Sequence, residues 1–286
     1  MKLDISYRGY LSSCNYDCSY CPFAKTVDNR DTLKQDAQAL GRFTRWLEQQ
    51  SEYRLDVLFT PWGEGLVRKH YRQALIEISH FDHIHRVAIQ TNLSTSLNWL
   101  KKANNDTLKL WTTYHPSQMS VEKFVHQSRT LSALGIQHSV GMVGAHSLLE
   151  AARELRRILP ADTYLWINAY DDDPDYYSDA QAAQWQVIDP YFPLNRNRYK
   201  TLGQTCSAGE TALFIDGKGD VSPCHFISTH LGNIYRDKLS DILTPMHCSN
   251  TDCNCYIGYR HLKKLKLKKI YGDNLIARIP INSRPE

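Results

Sequence analysis

Cys14-Asn15-Tyr16-Asp17-Cys18-Ser19-Tyr20-Cys21 follows directly on the β-branched and aromatic run Leu3 to Tyr7, and this placement decides the reading of the chain. The spacing is C-x3-C-x2-C on one short loop after a strand. Three thiolates can hold three irons of a [4Fe-4S] cluster, whereas a cluster held wholly by protein needs four. The fourth iron then stays open to an outside ligand, as the fourth position of a catalytic zinc does. Loops at the carboxyl ends of barrel strands are where catalytic groups gather.

Outward from this loop, short strand-like runs alternate with stretches of helical period. Leu3 to Tyr7, Leu55 to Thr60, Val87 to Thr91, Leu108 to Thr113, His138 to Val143 and Tyr164 to Ala169 read as six strands. Between them, Tyr71, Ala74, Leu75 and Ile78, and again Leu148, Ala152, Leu155 and Leu159, form apolar helix faces that pack outside the strands. Ser120 reads as the N-cap of a further helix, with Glu122 in its first turn. Six βα units imply a barrel or part of one. After Pro190 the texture changes to short strands, turns and cysteines. Asp189-Pro190-Tyr191-Phe192-Pro193 reads as a connector, dividing the chain into 1–190 and 191–286.

The 286 residues are 42% hydrophobic and 22% charged, an ordinary globular composition that excludes disordered and fibrous classes. No apolar run approaches the roughly 20 residues that span a bilayer, and the first residues lack the apolar stretch of a signal peptide, so a soluble cytoplasmic protein is expected. Lys and Arg number 34 against 30 Asp and Glu, and the resulting +4 is too small to imply a nucleic-acid partner. In a reducing compartment, eight cysteines are more often metal ligands or catalysts than disulfide partners. Three stand at 14, 18 and 21 and five at 206, 224, 248, 253 and 255.

The first cluster of thiols resembles the signature of the radical SAM superfamily, in which an aromatic residue, here Tyr20, precedes the third cysteine. The resemblance implies a partial (β/α)6 TIM-like barrel and a [4Fe-4S] cluster on Cys14, Cys18 and Cys21. In that family the open iron is chelated by S-adenosylmethionine (AdoMet), which is cleaved reductively to a 5′-deoxyadenosyl radical, and the resemblance implies the same here. Thr60-Pro61-Trp62-Gly63-Glu64-Gly65 is similar to the family's Gly-Gly-Glu turn, with Trp62 in place of the first glycine. Gly63 and the Glu64 carboxylate would hold the cofactor's amino group. Asn92 would face the cofactor, Thr112 or Thr113 would bind its ribose, the Gly141 to Gly144 segment with Val143 would pass beside its adenine, and Asn168 would reach its carboxylate or ribose. A zinc knuckle and polar residues closing strand ends are the plainer alternatives, and His115 reads as a structural histidine.

In the second group, Thr211 to Ile215, the turn Asp216-Gly217-Lys218-Gly219, and Asp220 to Cys224 read as a β-hairpin, with Gly217 and Gly219 supplying positive φ. Folding it would bring Cys206 and Cys224 together. With Leu231-Gly232-Asn233-Ile234, this region resembles the SPASM/Twitch extension of radical SAM enzymes, which carries auxiliary iron-sulfur clusters. Five cysteines do not supply two sets of four, so one auxiliary [4Fe-4S] cluster is expected. Its ligands would be Cys206, Cys224, Cys253 and Cys255, with Cys248 the alternative. A three-cysteine cluster with an open iron, or a zinc site using His225 or His247, uses the same residues. Lys263, Lys264, Lys266, Lys268 and Lys269 form either a basic binding surface or a solvated face.

The resemblance implies hydrogen abstraction from a substrate, either a peptide modified as in ribosomally made natural products or a small carbohydrate or alcohol that is dehydrogenated. Asp171, Asp172 and Asp173 would lie on the catalytic rim as a base or as partners of a substrate amine. Flavodoxin or ferredoxin would supply the electron; no membrane or nucleic-acid partner is expected. An iron-sulfur electron carrier and a zinc-dependent RNA-binding module are the other classes compatible with these motifs.

Overall fold

Alternation of side chains along each strand builds the molecule around a sheet with two different faces. The computed structural model describes residues 1–23, 25–170 and 175–283. Strands β1 (Lys2–Arg8), β2 (Arg54–Phe59), β3 (Ile84–Thr91), β4 (Leu108–Thr113), β5 (His138–Val143) and β6 (Leu165–Asn168) pair in parallel in that order. Helices α1 (Arg30–Glu48), α2 (Lys69–Ser79), α3 (Val121–Ala133) and α4 (Leu149–Ile158) lie between successive strands, and α5 (Asp179–Ile188) and α6 (Phe192–Arg196) follow β6. The six strands stand where the hydrophobic runs place them. Ser120 caps α3 by accepting from the Lys123 N–H.

On one face Ile5, Val57, Phe59, Ile89, Leu110, Val140 and Ile167 pack in a single core with Leu40, Phe43, Leu75, Phe124 and Leu155 of the helices. On the other face Leu58, Ala88, Trp111 and Trp166 pack with Tyr256, Tyr259, Tyr271 and Ile276. The C-terminal segment therefore covers the concave side of the sheet, and a parallel sheet is buried on both faces as its hydrogen-bonding pattern favours. Arg260, fully buried, locks this segment to β1 through two parallel 2.8 Å hydrogen bonds to Asp4. Arg278 is equally buried, its guanidinium 4.4 Å from the Trp166 ring and 4.5 Å from Tyr256, with its terminal nitrogen donating to Asn195.

Beyond α6, β7 (Tyr199–Lys200) precedes β8 (Ala212–Asp216), β9 (Asp220–Ser222) and β10 (Gly232–Asn233), and β11 (Asp252–Cys253) pairs with β7. The hairpin β8–β9 is present, and β8 pairs in parallel with β1, so among the described residues nine strands form one sheet. Its turn corrects one expectation: Gly219 has φ +86°, but Gly217 does not adopt positive φ. Gly217 is needed for space, since a Cβ there would lie 2.6 Å from the Tyr10 ring.

The stretch 189–193 is no loose connector. Asp189 is fully buried and accepts from Tyr164 Oη at 2.8 Å, from the backbone N–H groups of Ile167 at 2.8 Å and Tyr191 at 2.9 Å, and from Asn195 Nδ2 at 3.4 Å. Lys263, Lys264, Lys266, Lys268 and Lys269 are exposed while Leu267 and Tyr271 are buried, the pattern of a solvated face.

Candidate active site

The stretch that leads into the cysteine loop is held by two carboxylates that sequence reading missed. Asp36, fully buried on α1, accepts at one oxygen from the N–H groups of Tyr10 (2.7 Å) and Leu11 (3.0 Å), and its other oxygen lies 2.9 Å from His70 Nε2. Asp28 accepts from the backbone N–H and the hydroxyl of both Ser12 and Ser13, at 2.6 to 2.9 Å. Burial would raise the Asp28 carboxyl, but these four bonds outweigh it and hold the group below the usual carboxylate range. A signal for Asp36 was present. It lies three and four residues before Ala39 and Leu40 on the buried stripe of α1, where only a hydrogen-bonded carboxylate is tolerated.

Cys14, Cys18 and Cys21 stand together on this loop, with Cys18 buried. Burial raises the Cys14 and Cys18 thiols, and the neighbouring thiols add to the rise. The Tyr16 N–H donates to Cys14 Sγ at 3.4 Å and Asn92 Nδ2 does so at 3.7 Å. Three thiols on one loop, with N–H donors aimed at one sulfur, are the kind of donor set an iron-sulfur cluster takes, and such bonds tune its properties. Tyr20 Oη lies 2.9 Å from His115 Nδ1 and the two rings stack, so this pair ties the loop to the end of β4.

Glu64 has a role the motif does not reveal. Its carboxylate is buried and accepts from the Leu66 N–H (2.9 Å), Thr91 Oγ1 (2.8 Å) and the Asn92 N–H (2.6 Å). It ties the turn after β2 to the end of β3 and is already engaged by three protein donors. A Cβ on Gly63 would lie 1.8 Å from the carbonyl oxygen of Ser13, the residue before Cys14. Gly63→Ala should therefore push the cysteine loop out of place, at a cost of about 1–3 kcal/mol, and lower the iron bound after reconstitution. Wild-type iron content in that variant would show that the loop tolerates the shift.

Strand parity sorts the remaining residues. Thr113 pairs with Gly141, and Val143 with Asn168, on the concave side at the mouth, where Asn168 is exposed. Thr112 is on the helix side, fully buried and donating to the Ser139 carbonyl at 2.8 Å, which corrects its reading as a ribose ligand. Gly141 leaves room for Trp166, whose ring would lie 1.9 Å from a Cβ there. Asn92, buried, orients Asn15 through a 3.0 Å bond from its Nδ2 as well as facing Cys14. Asp171, Asp172 and Asp173 lie outside the described residues.

The thiols of the hairpin and the following segment influence one another electrostatically. Cys253 is pushed up to about 12 by burial, with Cys255, Cys224, Cys248 and Cys206 all near enough to add to the rise. Cys224 rises to about 11 by burial, with Cys206 and Cys248 as neighbours. The charge of Cys248 thus acts on Cys206, Cys224 and Cys253, and that of Cys255 on Cys253 and Arg8. The Phe226 N–H donates to Cys224 Sγ at 3.5 Å, matching the donor that Tyr16 supplies to Cys14. His225 Nε2 shares a 2.8 Å hydrogen bond with Thr60 Oγ1. Among the described residues no three Cys, His, Asp or Glu side chains are grouped to hold a single metal ion.

Residues 206–269 match the model of SPASM, an iron-sulfur cluster-binding domain. No curated protein matches the sequence. The chain is similar in structure to anSMEcpe with bound AdoMet, at 13% identity over 86% of this chain and 81% of that one, with a TM-score of 0.56. It is also similar to native anSMEcpe with bound AdoMet and Cp18Cys peptide, at 11% identity over 85% and 80%, with a TM-score of 0.55. The likeness to these two structures is one of fold, and the SPASM match occupies the C-terminal part of the chain. No helix among the described residues is long and apolar enough to cross a membrane.

Proposed function

We propose that the protein is a radical SAM enzyme acting on a peptide substrate in the cytoplasm. The observation that carries this reading is the C-x3-C-x2-C loop at the carboxyl end of β1, clamped by Asp28 and Asp36, with amide donors on Cys14 and the concave mouth beside it. Cys14, Cys18 and Cys21 would hold a [4Fe-4S] cluster, which together with AdoMet supplies the 5′-deoxyadenosyl radical that removes a hydrogen atom from the substrate. Thr113, Gly141, Val143 and Asn168 line the side of the mouth where the cofactor would lie. Cys206, Cys224, Cys248 and Cys253 are the four thiols we assign to the auxiliary cluster in residues 191–286, with Cys255 beside them. A flavodoxin or ferredoxin supplies the electron. The peptide assignment is supported by the likeness to anSMEcpe holding AdoMet and a peptide.

Anaerobically reconstituted protein should bind about eight irons and eight sulfides and, once reduced, form 5′-deoxyadenosine from AdoMet. Stoichiometric zinc in place of the second cluster would overturn the auxiliary assignment. Absence of 5′-deoxyadenosine from protein that carries its clusters would overturn the enzyme reading.

A further inference from the structure

Phe23, Trp62 and Phe226 are large aromatic side chains left substantially exposed, and all three belong to one strip. The Phe23 and Trp62 rings are 4.4 Å apart, the Arg8 guanidinium lies 3.7 Å over Trp62 and 5.8 Å from Phe214, Phe214 is 4.2 Å from His225, and His225 is 6.2 Å from Phe226. The strip begins two residues after Cys21 and ends two residues after Cys224, so a ligand lying on it would run from one thiol group to the other. Exposed apolar surface gathered in one place marks a contact with something else.

Arg8 stands at its centre, at the last position of β1 and on the concave side. Its Nε donates to the Thr60 carbonyl at 2.6 Å, and among the described residues no carboxylate pairs with its guanidinium and its two terminal nitrogens make no hydrogen bond. The contrast with Arg260, whose charge is met by Asp4 in two parallel bonds, shows how this chain treats a guanidinium that it intends to keep to itself. Burial pulls Arg8 down to about 10, against the opposing pull of Cys255 and Tyr71. The stack on Trp62 fixes the plane of the guanidinium and leaves its terminal edge as a two-pronged donor, a geometry that matches an oxyanion. Trp62 is the residue that departs from the Gly-Gly-Glu pattern, and this stack gives that departure a purpose.

We infer that Arg8 anchors the substrate by receiving a carboxylate on its terminal nitrogens, while Trp62 and Phe226 hold the apolar part on either side. In a peptide the carboxylate is an acidic side chain or a C-terminus. The inference rests on reading the mouth as a peptide site.

Full-length, cluster-loaded protein is labelled with phenylglyoxal and the extent of modification at Arg8 is read by peptide mass spectrometry. N-acetylglutamic acid α-amide should slow labelling of Arg8 about tenfold, as expected for a two-pronged charged contact, and leave exposed Arg54 and Arg236 unchanged. N-acetylglutamine amide, which differs only in lacking the charge, should give no protection, and Trp62→Ala should weaken the protection. Equal behaviour of the acid and the amide would overturn the inference. So would stronger protection by inorganic phosphate, which assigns the strip to a phosphate-bearing substrate, or protection by AdoMet alone, which assigns Arg8 to the cofactor. Labelling of Arg8 in cluster-free protein but none in loaded protein would make the cluster its counter-charge and exclude the substrate role. Iron content and 5′-deoxyadenosine are measured on the same sample: cleavage without protection removes only the Arg8 assignment, whereas loss of cleavage removes the proposed function.

Discussion

Replacing Cys14, Cys18 or Cys21 by Ala removes 5′-deoxyadenosine formation, by more than about a hundredfold, because loss even of an outer partner of a metal site costs about 10–100-fold. Three thiols are already one short of a full set, so none is spare. Cys206→Ala and Cys224→Ala should behave differently: product formation is lost while some cleavage of AdoMet remains, since the hairpin thiols belong to a separate group. Metal binding and folding are coupled, so retained folding and first-cluster iron are established before rates are compared. A triple variant of the first loop that still cleaves AdoMet at the wild-type rate would refute the site. Wild-type product formation by folded hairpin variants would make the second thiol group structural.

The second large effect is on stability. Asp4→Ala leaves the fully buried Arg260 guanidinium without its carboxylate, and breaking a buried pair from one side costs about 3–5 kcal/mol. For a chain of this size that lowers the melting temperature by roughly 10 °C. Asp4→Leu combined with Arg260→Met should recover most of the loss, because replacing both partners by apolar groups avoids the uncompensated charge. Thermal melts of Asp4→Leu, Arg260→Met and the double variant close the cycle. A melt of Asp4→Ala within a degree or two of wild type would show that the pair does not fasten the C-terminal segment to β1.

The strands and the first thiol loop were legible because their signals are local: a period of two, a period near 3.6, and three cysteines within eight residues. Thr112 was also legible in principle. Leu108 and Leu110 set the helix-facing parity of β4, and Thr112 continues it. Glu64 was not, because its partners Thr91 and Asn92 arrive from a different strand. The prolines at 190 and 193 pointed to a linker, yet Asp189 collects donors from β6 and α6 that no local pattern foretells. In the second thiol group the C-x4-C-x-C spacing left the ligands open among Cys248, Cys253 and Cys255, and in the folded chain the charge of Cys248 also acts on Cys206, Cys224 and Cys253.

The covering of Trp111 and Trp166 by Tyr256, Tyr271 and Ile276 has a meaning for synthesis. Translation delivers the six parallel strands and the cysteine loop long before Tyr256–Ala277 leaves the ribosome. At about 5–20 residues per second the concave face then waits several seconds or more without its cover. In that interval the nascent chain is an open tray, its tryptophans bare to chaperones. The topology thus orders assembly in time, the concave face being made before the segment that covers it.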